Sequence, residues 1–542
     1  MRERLASTRR SLGWKRPAVI PSRSRRYTSS PSSLTPVEPL RPTPVLAIAK
    51  IIPNNVDNPD MWSSRNRRFR GGGGVQVSAK SQISRVRKKI CPLRRDELMK
   101  FQTAASRRWI AIRAIPVAGL LLLAACGASN TPTGGGLGSG DLLVGVIAPF
   151  TGADAGLGPA YYAACLAAAP SINSNGGVGG RQIKCQQFDT RGEPADAVPA
   201  ANQMIASNSN LMAVVGCTSD EAATVAPIID RAHIPMFCMT GQSEFNKTNL
   251  KYFHRLVPAD VYDAFAMVGS ALYGPNHAPY KNAALVFGDD IGSQAFVDPA
   301  TKAFTKLGGK IAINQPIKLG ASSYRTEVAA MLKSNPDVIL TEALGSAGTY
   351  LKEVKTQNGG KMIPFIGTSA TIDPTWFQQV RDAIGIDDLL KYYAGVDLGY
   401  TFTGTAYSEF LTNLNAAAST FADAPKYKQR GSTLHLYDGI IMTALAMVAT
   451  NSSDRTVYNP KIIEIANGTN GATVVNTYKD GVAALKAGKS IRFVGAGGEN
   501  NFDQYNNSQS GYILVAYDKD GNEVTAGKLT PDQTAKLIAA GG

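Results

Sequence analysis

From Leu142 onward, short β-rich apolar runs alternate with longer segments whose apolar residues recur at helical spacing. The first series predicts strands over Leu142–Ala148, Gln182–Phe188, Leu211–Val215 and Pro235–Met239, separated by helices over Tyr161–Ser174, Ala195–Ser207 and Asp220–Ala232. A second series predicts strands near Ala283–Phe287, Ile311–Gln315, Val338–Thr341 and Ile363–Gly367, with helices near Ser293–Leu307, Ser323–Ser334 and Ala347–Gln357. Such alternation marks parallel sheets flanked by helices and joined by right-handed crossovers. Two successive series imply an α/β protein of two doubly wound parallel-sheet lobes. The length agrees, because the ~400 residues involved exceed what one core usually supports. Further on, Tyr392–Val396 reads as a strand and Leu434–Thr450 as a long apolar helix, after which Gly and Asn become frequent.

Residues 1–98 show no sustained apolar periodicity, are rich in Arg, Ser and Pro, and contain the run Gly71 to Gly74. They are expected to be disordered or, because an export signal normally leads a chain, untranslated, with Met99 as the start. From Met99, the basic residues Lys100, Arg107, Arg108 and Arg113 run into an apolar stretch from Ala114 to Ala125. That stretch is roughly half of the ~20 residues a spanning helix needs and ends in small residues, so residues 99–125 read as a signal peptide. Leu123-Ala124-Ala125-Cys126 resembles the lipobox of bacterial lipoprotein precursors, which implies that Cys126 becomes the acylated first residue of the working protein. Residues 126–140 form a flexible tether rich in Gly, Ser, Asn and Thr. Its glycines precede the first strand, whereas a phosphate-binding loop follows one, so no nucleotide site is read there.

The formal net charge of +16 would suggest an anionic partner if it were evenly spread. It is not: residues 1–98 carry 22 Lys and Arg against 6 Asp and Glu, residues 99–125 carry 4 against none, and the chain from Cys126 carries 31 against 35. The working protein is therefore mildly acidic, and no nucleic-acid partner is expected.

Ligands of doubly wound sheets sit beyond the carboxyl ends of the strands. The segments there are Phe150-Thr151-Gly152, Gly216-Cys217-Thr218-Ser219, Thr240-Gly241-Gln242-Ser243 and Gly367-Thr368-Ser369. Hydroxyls and backbone amides at helix starts can hold a carboxylate without a countercharge. Taken singly, Thr218, Ser219 and Ser243 also read as ordinary N-caps; several together at one rim point to a ligand cleft.

Val144 to Gly152 (VGVIAPFTG) resembles the opening strand and loop of the type I periplasmic binding proteins that serve branched-chain amino acid ABC importers. Asn173 to Arg181 (NSNGGVGGR) is similar to that family's helix-to-strand turn. Phe188-Asp189-Thr190 with Pro194 to Ala201, Val214-Val215-Gly216, Ala226-Pro227-Ile228, and Tyr252 to Pro258 with Asp260 follow in the family's order. The resemblance covers residues 142 to 520. It implies a hinged, two-lobe receptor that closes on a small solute and hands it to an ABC permease with its ATPase subunits, anchored by its lipid on the outer face of the bacterial cytoplasmic membrane. Three chain crossings are implied, near Pro258, near Tyr392 to Gly399, and within Ile491–Ser510. These would give lobe one as 141–258 plus 396–490 and lobe two as 259–395 plus 491–542.

In relatives that bind branched-chain amino acids, a hydroxyl and backbone amides after the third and fourth strands hold the solute carboxylate. Thr218 and Ser219 match the first group, and Thr240, Gly241, Gln242 and Ser243 occupy the second. On the amino-group side this chain departs from the pattern: the expected acid is Ser369, and the aromatic positions are Ile291 and Leu344. Asp289, Asp290 and Glu342 are acids available to compensate an ammonium, although each also reads as a solvated loop residue. The solute is therefore expected to be a branched-chain or other amino acid. The alternative is a sensor of the same fold for an amide, urea or small carboxylate, coupled to a membrane signalling partner.

Cys165, Cys185, Cys217 and Cys238 are an even set in an exported protein, which favours disulfides, and three pairings are open. The family's fold places the third and fourth strands side by side, which implies Cys217–Cys238 and leaves Cys165–Cys185. Wide spacings without a His pair argue against a metal, and no cofactor is expected. His233, His254, His277 and His435 lie in no catalytic motif, and neither Gly-x-Ser-x-Gly nor His-Glu-x-x-His occurs, so no enzyme is read. Mass spectrometry of the unprocessed precursor is expected to find no peptide from before Met99; one such peptide overturns that start.

Overall fold

The computed structural model describes residues 136–275 and 279–542. The upstream segment, the signal peptide, Cys126, most of the tether and His277 lie outside them. β1 (Leu142–Ala148) is buried at every position and takes the interior of the first sheet. With β2 (Ile183–Asp189), β3 (Leu211–Gly216), β4 (Met236–Cys238) and β5 (Phe253–Arg255) it forms an all-parallel sheet in the order β2-β1-β3-β4-β5. Strands buried on both faces are apolar throughout, which is why β1 and β3 show no alternation.

The long apolar helix spans Gly431–Thr450 and is buried continuously from Gly431 to Met447. By length and composition it passes for a membrane span, yet it is the core helix of the first lobe. It packs on the alanine-rich helix Gly158–Asn173, where small side chains let the two backbones approach closely. Thr433 Oγ donates to the Ala160 carbonyl at 3.0 Å, and the hydroxyls of Ser171 and Tyr437 meet at 2.8 Å.

The second sheet contains β6 (Asn282–Gly288), β7 (Lys310–Ile317), β8 (Val338–Glu342), β9 (Phe365–Gly367) and β10 (Tyr393–Leu398), all parallel. A small separate sheet follows in the chain: β11 (Thr473–Val475), β12 (Ile491–Gly495) and β13 (Gly498–Glu499). Finally β14 (Tyr512–Tyr517) joins β10 antiparallel, and β15 (Glu523–Gly527) pairs antiparallel with β14. The second sheet thus runs β15-β14-β10-β9-β8-β6-β7, with two antiparallel strands added to its parallel core. The single helix expected over Ser293–Leu307 is two, Ile291–Gln294 and Val297–Lys306. The restart puts Pro299, which lacks an N–H, in a first turn where none is needed.

Two boundaries differ from those inferred from the sequence. β10 stays in the second sheet through Leu398, so the return to the first lobe begins at Gly399, not at residue 396, because its backbone partners are β9 and β14. Ile491 to Phe502, expected in the second lobe, packs into the first: Ile491, Phe493, Ala496 and Phe502 join its core. The buried carboxyl of Asp438, on the core helix, accepts the Ala496 and Gly497 amides at 2.9 and 2.8 Å. The chain then runs beside β5, bridging Arg255 to Asn507, before it enters β14.

Cys165 pairs with Cys185, joining the first helix to β2, and Cys217 pairs with Cys238 at the ends of β3 and β4. The Cys165–Cys185 link spans 20 residues of sequence. Closing a loop of this size restricts the unfolded chain by about 3 kcal/mol. Replacing both of these cysteines by Ser is expected to lower unfolding free energy by about that amount in urea; peptide mapping that finds four free thiols contradicts both links.

Candidate binding cleft

The carboxyl ends of the parallel strands in both sheets open onto one cleft between the lobes. On the first side the chain turns sharply after β3. Gly216 has φ 114°, and a Cβ there would sit 2.1 Å from the Ile147 carbonyl oxygen, so only glycine fits. Thr218 then caps the helix Ser219–Arg231, and Thr218, Ser219 and Asp220 line the cleft. From the second lobe come Asp290 and Gly292 after β6, Glu342 and Leu344 at β8, and Ser369 after β9.

Glu221, fully buried, accepts the Thr218 amide at 2.6 Å and the Thr218 hydroxyl on one oxygen, and the Thr190 hydroxyl on the other. The Ser219 hydroxyl meets that of Thr240 at 3.1 Å.

Four of the nine residues expected to touch the solute line the cleft: Thr218, Ser219, Leu344 and Ser369. The others do not. Thr240 is fully buried and reaches the cleft only through Ser219. Gly241 backs onto Asp260, whose amide donates to the Gly241 carbonyl at 2.8 Å. Gln242 is buried, with its carbonyl accepting from Arg255, and Ser243 is exposed. Ile291 points its side chain outward at 57% exposure. Of the three compensating acids, Asp290 and Glu342 line the cleft, whereas Asp289 is exposed outside it. The histidines stand apart: His233 is exposed and stacks on Tyr252, while His254 and His435 are buried against Asn459 and Asn500 and held down to about 4 by burial.

Several lining residues were not read from the sequence. Asp154, Asp220, Asp260 and Asp397 join Asp290 and Glu342 as cleft carboxyls, and Arg430 is the one basic side chain among them. Tyr161, Tyr400, Tyr512 and Phe296 supply aromatic walls. Asp154 and Asp220 were findable, since each closely follows a predicted strand. Arg430 carried one signal, a lone cation directly before the longest apolar helix.

Arg430 is 7% exposed and donates to the Ser369 and Ile372 carbonyls of the second lobe at 3.0 and 2.7 Å. Burial works against its charge, but Asp373 at 3.5 Å and Asp397 sustain it. The acids respond oppositely. Burial, then neighbouring Asp220, Asp290 and Glu221, push Asp154 up to about 7. Burial and Asp290 raise Asp220 to about 6, and burial and Asp263 raise Asp260 to about 8. Burial lifts Glu342 and Asp397 well above the usual carboxylate range. The lobes meet over this cluster: the Gly292 amide donates to the Asp220 carboxylate at 3.0 Å, and a Cβ on Gly292 would lie 3.2 Å from the Ser219 Cβ.

The cleft offers a volume of about 120 Å³, room for a solute of few heavy atoms; a cavity of about 150 Å³ holds benzene. Two lobes, three chain crossings between them and a polar cleft at the switch points of both sheets form the architecture of a two-lobe solute-binding protein. A family profile of the periplasmic binding proteins matches residues 142–522, and the chain belongs to that family. This implies export from the cytoplasm. An amino acid binding protein of Pseudomonas aeruginosa is 25% identical over 318 residues, 58% of this chain and 80% of that one. The branched-chain amino acid substrate-binding protein LivJ of Streptococcus pneumoniae, solved with isoleucine, superposes with a TM-score of 0.56 at 16% identity, over 72% of this chain and 100% of that one. An R. palustris ABC-transporter solute-binding protein, solved with benzoate, gives 0.55 at 17% identity, over 72% and 96%.

The raised carboxyls have a consequence for stability. Their folded-state pKa values lie above the unfolded ones, so the stability they contribute is full below about pH 4 and is lost as pH rises through about 6 to 8. The melting temperature of the ligand-free protein is expected to fall between pH 5 and pH 8, and the fall to shrink in D154N/D220N. An equal pH dependence in that variant would contradict the assignment.

Proposed function

We propose that the protein is a lipid-anchored receptor that captures a small polar solute carrying a charged nitrogen, amino acids being the first class to test, and presents it to an ABC permease and its ATPases. The carrying observation is the cleft itself: carboxyls from both lobes face one small volume, and the lobes touch directly across it through Asp220 and Gly292. A solute that engages both walls gives the closed state affinity the open one lacks. The lipobox-like Cys126 and its glycine-rich tether support anchoring beside the permease.

Purified residues 127–542 are expected to melt later with a cognate solute, by about 2.7 kcal/mol in stability at a hundredfold excess over Kd. Gly292→Val, which props the lobes apart at the Ser219 contact, is expected to weaken that solute at least tenfold while leaving ligand-free melting unchanged. Undiminished affinity in the variant would remove the clasp from the binding mechanism.

A further inference from the structure

The place where a solute carboxylate would be held is already filled by the chain's own acids. Both donors of Thr218 go to Glu221, and the Ser219 hydroxyl is engaged with Thr240. Asp220 stands in the first turn of the same helix and takes the Gly292 amide. The Thr218 amide and hydroxyl at that helix start are thus taken by Glu221, and Asp220 adds a second acid in the same turn, which disfavours a further anion there. Arg430 does not open a second anion site, because its guanidinium already serves two carbonyls and faces Asp373 and Asp397.

The remaining charged side chains of the cleft lining are all acids. Asp154 and Asp220 come from the first lobe, and Asp260, Asp290, Glu342 and Asp397 from the second. Buried carboxylates are costly without a cation. Protons stand in for it here, as the raised values of Asp154, Asp220 and Asp260 indicate. Two further observations point to a ligand. Ser432 lines the cleft at 7% exposure with its Oγ unpaired among the described residues, and Asp290 Oδ2 is likewise buried and unpaired. The rings of Tyr161, Tyr400 and Tyr512 add faces that favour an organic cation.

We infer that the solute is an organic amine without a carboxylate, its ammonium held between Asp154 and Asp220 of one lobe and Asp290 and Glu342 of the other, with Ser432 as an added acceptor. This rests on the receptor reading and narrows its substrate class. Once these carboxyls lose their protons, like charges facing across the gap oppose closure until the cation bridges them, so the amine would then be the element that holds the cleft shut. Displaced protons leave from Asp154 and Asp220, which face each other, Glu221 and Asp290, and from Glu342, which faces Asp260, Asp263 and Asp290.

The test is calorimetry on the wild-type mature domain with matched pairs: isopentylamine against leucine, 1,5-diaminopentane against lysine, with urea and benzoate alongside. At least one amine is expected to bind tenfold or more tighter than its amino acid at pH 8, to weaken as the pH is lowered to 5.5, and to release protons at pH 6.5 when heats are compared in two buffers of different ionisation enthalpy. Asp290→Asn is expected to weaken the amine at least tenfold. Amino acids binding as tightly as their amines, or binding without proton release, overturn the proposal. Silence from the amines with a response to leucine, urea or benzoate overturns it and leaves the receptor reading standing; silence from every compound brings down both.

Discussion

One buried guanidinium organises the space between the lobes. Arg430 immediately precedes the core helix of the first lobe, yet its hydrogen bonds end on the Ser369 and Ile372 carbonyls of the second. A guanidinium stays charged when desolvated, so its surroundings adapt to it. Asp373 and Asp397 keep their places around it, and Asp397 in turn stands beside the buried Glu523 at the start of β15. The floor of the cleft, the end of β10 and the antiparallel hairpin at the sheet edge are therefore tied to a single cation.

Above that floor the charge balance reverses. Carboxyls outnumber Arg430 on the lining, and the walls are held apart by little more than small residues: Gly292 faces Ser219, and Gly345 approaches the Ala153 carbonyl. Close approach of two acidic walls is favourable only when protons or a ligand supply the missing positive charge. Closure and ligand chemistry are one problem in this cleft, and Glu221 bears on both. By capping Thr218 from inside, it stabilises the helix start and removes the donors on which a carboxylate would depend.

The architecture was largely legible because it rests on local periodicity. β1 has the bounds its apolar run predicted, and helix Ala347–Gln357 likewise. Departures occur where a residue's partner lies far along the chain. Ile491–Gly495 has an ordinary strand pattern, and only the pairing with β11 and the amides bound by Asp438 put it in the first lobe. The outer hairpin of β14 and β15 left no trace in a reading built on strand–helix alternation, since antiparallel strands need no helix between them.

The sequence by itself determined the fold class, the family's order of motifs, the rim of hydroxyl and glycine loops, and the mild acidity of the chain beyond Cys126. These follow from residue type and spacing. The tertiary structure decided which loop residues face the cleft and what those residues still have to offer. Thr218 reads as a free donor until Glu221 folds back onto it, and Asp154, scarcely distinguishable in the sequence from any loop acid, stands on the cleft wall, where burial beside Asp220 and Asp290 raises the cost of its charge. Burial and long-range charge are properties of the assembled lobes, and no local pattern encodes them.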